Sequence, residues 1–214
     1  MPVYTITLAD KAVNALKYGG VLRMSYEAVR RTRLPILSRY IAKMSRAQAR
    51  RKVKQALNVA LNGDGNNPAP ASAAAAGATF TLQDIIALQM DGLVQGVQFG
   101  VITADTADLA ALLTLDIFTS AGATAAGADF RDTGAWPNLL GMRPRLAMAD
   151  SVLQGSRKLL AIDQANGLEE FYENGSEIVE SEKLITSQFE NIAISEVLGY
   201  AKPDTQAFRT KAHA

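Results

Sequence analysis

A helical pattern over residues 36–61 constrains this fold more than any other feature of the chain. Its apolar positions are Leu37, Ile41, Met44, Val53, Ala56, Leu57, Ala60 and Leu61. Pro35 suits the first turn of a helix, and the Gly-Asp-Gly segment after Asn62 ends it. At about 1.5 Å per residue the helix is a rod of roughly 39 Å. Such a rod packs along one face and offers the other to solvent or to a partner.

Positive charge is concentrated on this rod and just before it. Residues 23–54 hold 11 of the 22 Lys and Arg residues, with Glu27 as the only acid. The candidate phosphate-facing or inter-subunit side chains are Arg30, Arg31, Arg39, Arg46, Arg50, Arg51 and Lys54. A helix that reads DNA bases, or stacks on the bases of a single strand, needs Asn, Gln or aromatic side chains among its cations. Tyr40 is almost the only such side chain here. Periodicity therefore leaves two interpretations open, a nonspecific phosphate-binding helix and a subunit-packing helix.

Negative charge is concentrated near the other end of the chain. Residues 167–196 contain eight glutamates and one base, Lys183, although the whole chain carries a net charge of only +1. Glu177, Glu180 and Glu182 are the candidate side chains of this segment. An acidic strip that meets the basic rod, within one subunit or between subunits, is a better interpretation than a catalytic carboxylate pair or a cation site.

The first half of the chain predicts a strand followed mainly by helices. Residues 3–8 alternate as a strand, a turn is predicted at 17–20, and a return strand follows at 21–24. Ser25 is an N-cap for a short helix that reaches about residue 33. The Gly-, Asn-, Pro- and Ala-rich segment 62–79 is the best linker candidate. Thr81 caps an amphipathic helix, and another helix is predicted at 106–118.

The second half of the chain predicts strands. A Gly- and Ala-rich loop leads to Trp136, and strand-like patterns follow within 139–150 and 157–163. Asn174-Gly175 lies between two strand-like segments, which is a strong hairpin signal. Residues 184–201 alternate as one long strand. Helices followed by strands in this way indicate the α+β class.

Chemistry-bearing motifs are scarce. The chain has no cysteine and one histidine, His213, which we expect on a frayed terminus where a triad or metal site is improbable. The segment "NGDGNN" at 62–67 lacks the acids of a calcium loop and is better interpreted as a helix stop. No phosphate-binding glycine motif occurs, and no stretch offers the roughly 20 apolar residues of a membrane span. The sequence thus predicts no enzyme, no cofactor and no metal.

Three stretches together resemble the major capsid proteins of tailed bacteriophages, which have the Hong Kong 97 fold. "LKYGGVLRMSYEAVRRTRLPILSRYIAKMSRAQARRKVKQALNVALNGDG" is similar to the end of the family's extended loop and its spine helix. "LLGMRPRLAMADSVLQGSRKLLAID" is similar to axial-domain strands. "GLEEFYENGSEIVESEKLITSQFENIAISEVLGYAKPDTQAFRTK" is similar to the closing peripheral-domain strands.

The resemblance implies an architectural function. Pentamers and hexamers of this chain would close an icosahedral shell around double-stranded DNA, which would be contacted nonspecifically. Other implied partners are scaffold, portal or decoration proteins, with no membrane and no small-molecule substrate. The implied location is the virion capsid, assembled in the host cytoplasm.

The resemblance also implies a domain plan of the α+β class. Residues 1–24 would belong to the extended loop, and the family's N-terminal arm is expected to be missing. Residues 25–68 and 160–203 would form the peripheral domain with the spine helix, and 69–159 and 204–214 the axial domain. Some members form a Lys–Asn isopeptide bond between subunits, for which Lys11 or Lys17, Asn191 and Glu196 lie in suitable regions. Ordinary surface roles are the favoured interpretation of these four residues.

Two alternatives remain open. The first is an encapsulin-type nanocompartment shell, which would have the same fold and would enclose cargo protein. The second, from another class, is a nucleic-acid-binding protein that uses the basic helix at residues 30–54.

Overall fold

The computed structural model describes residues 13–31, 34–75, 77–115, 138–148 and 150–213. Helices and strands are mixed along the chain, which confirms the α+β class. The helices of the described residues are α1 (Tyr26–Arg31), α2 (Leu34–Asn62), α3 (Leu82–Val94) and α4 (Thr106–Leu113). The strands are β1 (Leu16–Ser25), β2 (Ser72–Ala74), β3 (Val101–Ala104), β4 (Arg143–Leu146), β5 (Lys158–Ile162), β6 (Glu169–Tyr172), β7 (Ile178–Leu184), β8 (Phe189–Ala201) and β9 (Phe208–Ala212).

The predicted long helix is present and slightly longer than expected. Helix α2 has 29 residues, which at 1.5 Å per residue makes it about 44 Å long. It ends where the Gly63 backbone N–H donates to the Val59 carbonyl at 2.8 Å, and Gly63 takes a φ of 91° that favours glycine. The predicted cap of α1 is also confirmed, because Ser25 Oγ accepts from the Ala28 backbone N–H at 3.2 Å. No described helix combines the length and apolarity that crossing a bilayer requires.

The turn predicted at 17–20 is wrong. Strand β1 runs without interruption through ten residues and pairs with β8 along its whole length. Gly19 and Gly20 serve close packing, since a Cβ at Gly20 would lie 3.1 Å from the sulfur of Met44 on α2. The strand predicted at 3–8 lies outside the described residues.

A four-stranded sheet is built around β8. Strand β1 pairs with one edge of β8, and β6 and β7 pair one after the other with the opposite edge, all antiparallel. The hairpin predicted at Asn174-Gly175 is therefore wrong, because the chain continues past it in the same direction. The reversal lies at residues 185–188, between β7 and β8, inside the segment predicted as one strand. Gln188 adopts a φ of 56° at this turn.

A five-stranded sheet has the order β2-β9-β5-β3-β4. Strand β2 lies in the predicted linker and pairs in parallel with β9, so this part of 62–79 is ordered structure. Strand β3, which the sequence analysis missed, is buried at all four positions. Helix α4 begins where predicted and ends at Leu113, five residues early, with Thr114 as its C-cap. The loop before Trp136 lies outside the described residues.

Two apolar clusters pack helices against the five-stranded sheet. One packs α3 and α4 against β3 and β5, with Phe80, Ile85, Phe99 and Leu109 among its members. The other packs the end of α2 against β5 and β9. Thr81 caps α3 as predicted, and Thr81 and Asp84 form a reciprocal capping box.

Three basic side chains, two on β9 and one directly after it, contact acids on α3 and α4. Arg209 pairs with Asp91 at 3.0 Å, Lys211 with Asp84 at 3.0 Å and His213 with Asp108 at 2.7 Å. Their spacing of two residues places them on one face of the strand. The expectation of a frayed terminus is wrong for His213, whose side chain is 8% exposed and whose ring packs edge-on against Phe80.

Candidate functional site

The predicted basic side chains lie on the outside of α1 and α2. We call Arg30, Arg31, Arg39, Arg46, Arg50, Arg51 and Lys54 the basic surface, and all of them are exposed. Among the described residues none of the seven forms an ion pair. Arg51 makes one contact, donating from Nη1 to the Gly19 carbonyl at 3.4 Å. The charge of this surface is thus almost entirely uncompensated by the residues that the structure describes.

The opposite side of α2 packs on the four-stranded sheet. Gln48 donates from Nε2 to the Ile194 carbonyl at 3.3 Å, and Met44 lies over Gly20. Lys52 Nζ pairs with Glu196 Oε2 at 2.7 Å. At 100° per residue, Gln48 lies about 160–180° around the helix from Arg39, Arg46 and Arg50, and Lys52 lies about 120–160° from them. One face of α2 therefore holds the sheet, and the other presents cations.

Lys52 and Glu196 confirm one contact between the basic helix and the acidic segment. Their side chains are 28% and 24% exposed, so the pair stabilises the fold by only about 0–1 kcal/mol. Glu196 also faces the buried Tyr18 and the half-buried Tyr200 on the same side of the sheet. Burial, and then Glu196, raise the pKa of Tyr18. The pKa of Tyr200 is raised to about 12, mainly by burial and to a smaller extent by the nearby Glu170, Tyr18 and Glu196.

The candidate acids lie elsewhere. Glu177, Glu180 and Glu182 are exposed and form no ion pair within the described part of the chain. Glu180 is paired opposite Ala193, and Glu182 opposite Asn191. Odd positions of β8 face away from α2, because Glu196 faces towards it and side chains alternate along a strand. The structure therefore does not bring Glu180 or Glu182 together with the basic surface of the same chain.

The candidate isopeptide residues are also separated. Lys11 lies outside the described residues, and Lys17 is paired opposite Val197, on the sheet face away from α2. Asn191 lies on that face too, between Arg23 and Glu182. Glu196 lies on the other face with Lys52. This arrangement does not assemble a lysine, an asparagine and a glutamate at one point within the chain.

A clamp that the sequence analysis missed fixes the end of α2 to the end of β8. Asp64 Oδ1 accepts from the backbone N–H groups of Asn66 at 2.9 Å and Asn67 at 2.6 Å. Its Oδ2 accepts from the Lys202 backbone N–H at 2.9 Å. Lys202 donates from Nζ to the Pro68 carbonyl at 3.0 Å, and the Asn67 side-chain amide donates to the Lys202 carbonyl. Segment 62–67 is thus a helix stop, as predicted, with a second function.

The contacts of the clamp shift the pKa values of Lys202 and Asp64. Lys202 is fully buried, and burial lowers its pKa. Burial alone would raise the pKa of Asp64, but the backbone hydrogen bonds from Asn67, Lys202 and Asn66 outweigh it and lower that pKa. "NGDG" signalled the helix end, whereas nothing in "YAKPD" signalled that a lysine is buried there.

A family comparison decides what kind of protein carries these surfaces. Residues 9–212 match the model of a family described as phage capsid protein. The chain belongs to the phage capsid protein family. The match confirms the resemblance to phage capsid proteins and implies a structural role rather than an enzymatic one. No curated protein matches the chain.

Solved structures support the same fold. A structure from Mycobacterium phage Che8 has a TM-score of 0.66 and 16% identity, covering 92% of this capsid protein and 70% of that chain. The SrpI encapsulin of Synechococcus elongatus has a TM-score of 0.68 and 12% identity, with 94% and 73% covered. A virus-like particle from Pyrococcus furiosus has a TM-score of 0.61 and 11% identity, with 94% and 77% covered. At these identities the likeness concerns the fold.

Proposed function

We propose that this capsid protein assembles into pentamers and hexamers that close an icosahedral shell around double-stranded DNA. The observation that carries the proposal is the family match, which spans residues 9–212. Exposed charges of both signs that form no ion pair within the described segments support association between copies. Contact with DNA would be nonspecific and would use cations left free by assembly. Scaffold, portal and decoration proteins would be further partners in a virion assembled in the host cytoplasm.

The proposed domain plan assigns a role to each sheet. Helix α2 would be the spine of a peripheral domain formed by residues 25–68 and by the strands of the four-stranded sheet. The five-stranded sheet would form an axial domain, within 69–159 and 204–214, and residues 1–24 would reach over a neighbour. The boundary between 159 and 160 falls inside β5, which pairs with β3 and β9. We therefore propose to assign the whole of β5 to the axial domain.

An encapsulin-type shell is the second candidate, because the SrpI encapsulin resembles the chain as closely as the Che8 structure does. The two functions differ in what the shell contains. Particles that hold nuclease-protected duplex DNA support the phage capsid. Particles that hold a co-purifying protein and no DNA support the encapsulin.

Electron micrographs of the purified protein test the proposal. We expect closed particles of uniform size, or five- and six-fold rings, together with protected DNA after nuclease treatment. A monomer or dimer that retards DNA in a gel, with a steep dependence on salt, would instead establish the nucleic-acid-binding alternative.

A further inference from the structure

The outer face of the four-stranded sheet presents a strip of acids with an apolar centre. Strand pairing places Glu169, Phe171, Ile178, Glu180 and Glu182 opposite odd-numbered residues of β8, between Asn191 and Ala201. Directly paired residues of antiparallel strands share a face, so all five lie on the side away from α2. We call these five residues the docking strip.

The apolar centre of the docking strip is open to solvent. Phe171 is 46% exposed and Ile178 is 42% exposed, and Glu169, Glu180 and Glu182 flank them. The only described cations that strand pairing places on the same face are Lys17 and Arg23, both on β1 at the far edge. An exposed apolar pair flanked by charged side chains, here acids on its own strands, is typical of a protein contact surface.

A complementary surface lies on the other side of the same chain. Five cations follow the solvent side of α2 within about 40° of Arg50, at 100° per residue. We call them the basic stripe, and they are Arg39, Lys43, Arg46, Arg50 and Lys54. Val53, which is 42% exposed, lies beside Arg46 and Arg50 and supplies an apolar contact. Lys43 was missed among the sequence candidates, although its spacing of four from Arg39 signals a shared face.

The docking strip is longer than the basic stripe. Ten residue steps along β8 separate the ends of the docking strip, which is about 33 Å at the rise of a strand. Fifteen steps separate Arg39 from Lys54, about 22 Å at the rise of a helix. The strip can therefore cover the whole basic stripe.

One chain cannot bring its own two surfaces together, because the sheet and α2 lie between them. We propose that the docking strip of one copy binds the basic stripe of α2 on the next copy. Because the two patches differ and lie on opposite sides of the chain, the contact is head-to-tail. It closes into a ring where the rotation between successive copies allows closure, and otherwise continues as an open array. The charges set orientation and register, and Phe171 and Ile178 bury apolar surface near Val53. This inference rests on the proposed shell function and identifies one interface between its subunits.

Charge reversal on each side tests the contact. In the first variant Glu180→Lys and Glu182→Lys reverse the docking strip, and in the second Arg46→Glu and Arg50→Glu reverse the basic stripe. Glu170→Lys is the matched control for the strip, because it lies on the adjoining strand and faces the other way. Arg143→Glu with Arg145→Glu is the control for the stripe, since both are exposed on β4. Circular dichroism establishes that each variant is folded.

Sedimentation velocity at low salt measures the association. Each reversed variant is expected to associate at least about tenfold more weakly than wild type, and both controls like wild type. A mixture of the two reversed variants is expected to associate again, because each retains one intact native surface and the reversed surfaces are also complementary. Folded variants that associate like wild type would overturn the contact. The contact would also be overturned if reversal of the basic stripe abolished DNA retention and left association unchanged.

The outcomes separate this contact from the proposed function. If the wild type associates but forms no closed shells, and charge reversal abolishes that association, the contact is supported and the shell is overturned. Closed shells formed equally by the reversed variants support the shell and overturn the contact. A wild type that does not associate overturns both.

Discussion

Asp64 shows how one side chain fixes the end of a helix 29 residues long. Its carboxylate accepts three backbone hydrogen bonds, two in its own loop and one from Lys202. The same arrangement positions α2 against β8, and through β8 against the acids of the four-stranded sheet. A local loop therefore determines how the basic stripe is presented.

We expect Asp64→Ala to lower the free energy of unfolding by about 1–3 kcal/mol, because it removes a carboxylate that accepts three partly buried backbone hydrogen bonds. Chemical denaturation measures the loss. Asp204→Ala is the control, since Asp204 accepts one hydrogen bond, from the Gln206 N–H, at a more exposed turn. Equal losses in the two variants would contradict the clamp.

The same carboxylate makes stability depend on pH. Its pKa is lower in the folded chain than the ordinary value of 3.8, so the folded state favours the ionised form. That contribution is complete well above pH 3.8 and is lost as the pH falls through the lower folded value. Denaturation midpoints in acid should fall less steeply for Asp64→Asn than for wild type. Parallel slopes would contradict the assignment.

At the scale of elements, α3 and β9 are joined by ion pairs of very different burial. Asp84 and Lys211 are 3% and 9% exposed, whereas Asp91, the partner of Arg209, is 55% exposed. Burial decides the cost of removing an acid, because a buried cation left unpaired has no water to replace its partner. The two aspartates lie two turns apart on one helix and make a matched pair.

We expect Asp84→Ala to lower the free energy of unfolding by about 3–5 kcal/mol, since it strands Lys211 and also removes the capping box. Asp91→Ala is expected to cost about 1 kcal/mol or less. Thermal and urea unfolding of the two variants measure both values. Similar losses would show that burial of the Lys211 pair is not what holds β9 to α3.

The elements that were predicted correctly carry local signals. Helix α2 has a continuous pattern between Pro35 and Gly63, and Ser25 and Thr81 are strong caps. The errors arose where a distant partner decides the structure. Asn174-Gly175 precedes no reversal because β6 and β7 both pair with β8, and β3 has four buried residues with no alternation to reveal them.

The sequence predicted which segments carry the charges of the candidate site, but not which face of the sheet each acid occupies. The charged segments were visible as counts along the chain. Which acids face α2 depends on the register of β7 on β8, which is set by the turn at 185–188. Glu196 and Glu180 belong to one acidic segment, yet the first pairs with Lys52 and the second lies on the opposite face. No local pattern distinguishes them.

For the whole molecule, we expect salt to weaken association between copies. Exposed charges are screened over about 10 Å at 0.1 M salt and about 3 Å at 1 M. We expect wild-type association to weaken at least about tenfold over that range, as measured by sedimentation. The variant with Glu180→Lys and Glu182→Lys is the control, and its residual association should depend less on salt. Equal wild-type association at both salt concentrations would contradict a charge-matched contact.

A cryo-electron microscopy reconstruction of the purified particle tests both the shell and the contact between copies. We expect a closed shell of pentamers and hexamers, in which Glu180 and Glu182 of one copy lie within ion-pair distance of Arg46 and Arg50 of the next. A protein that forms no closed particle would contradict the capsid function. A closed particle in which the outer face of β6 and β7 meets only solvent would contradict the head-to-tail contact.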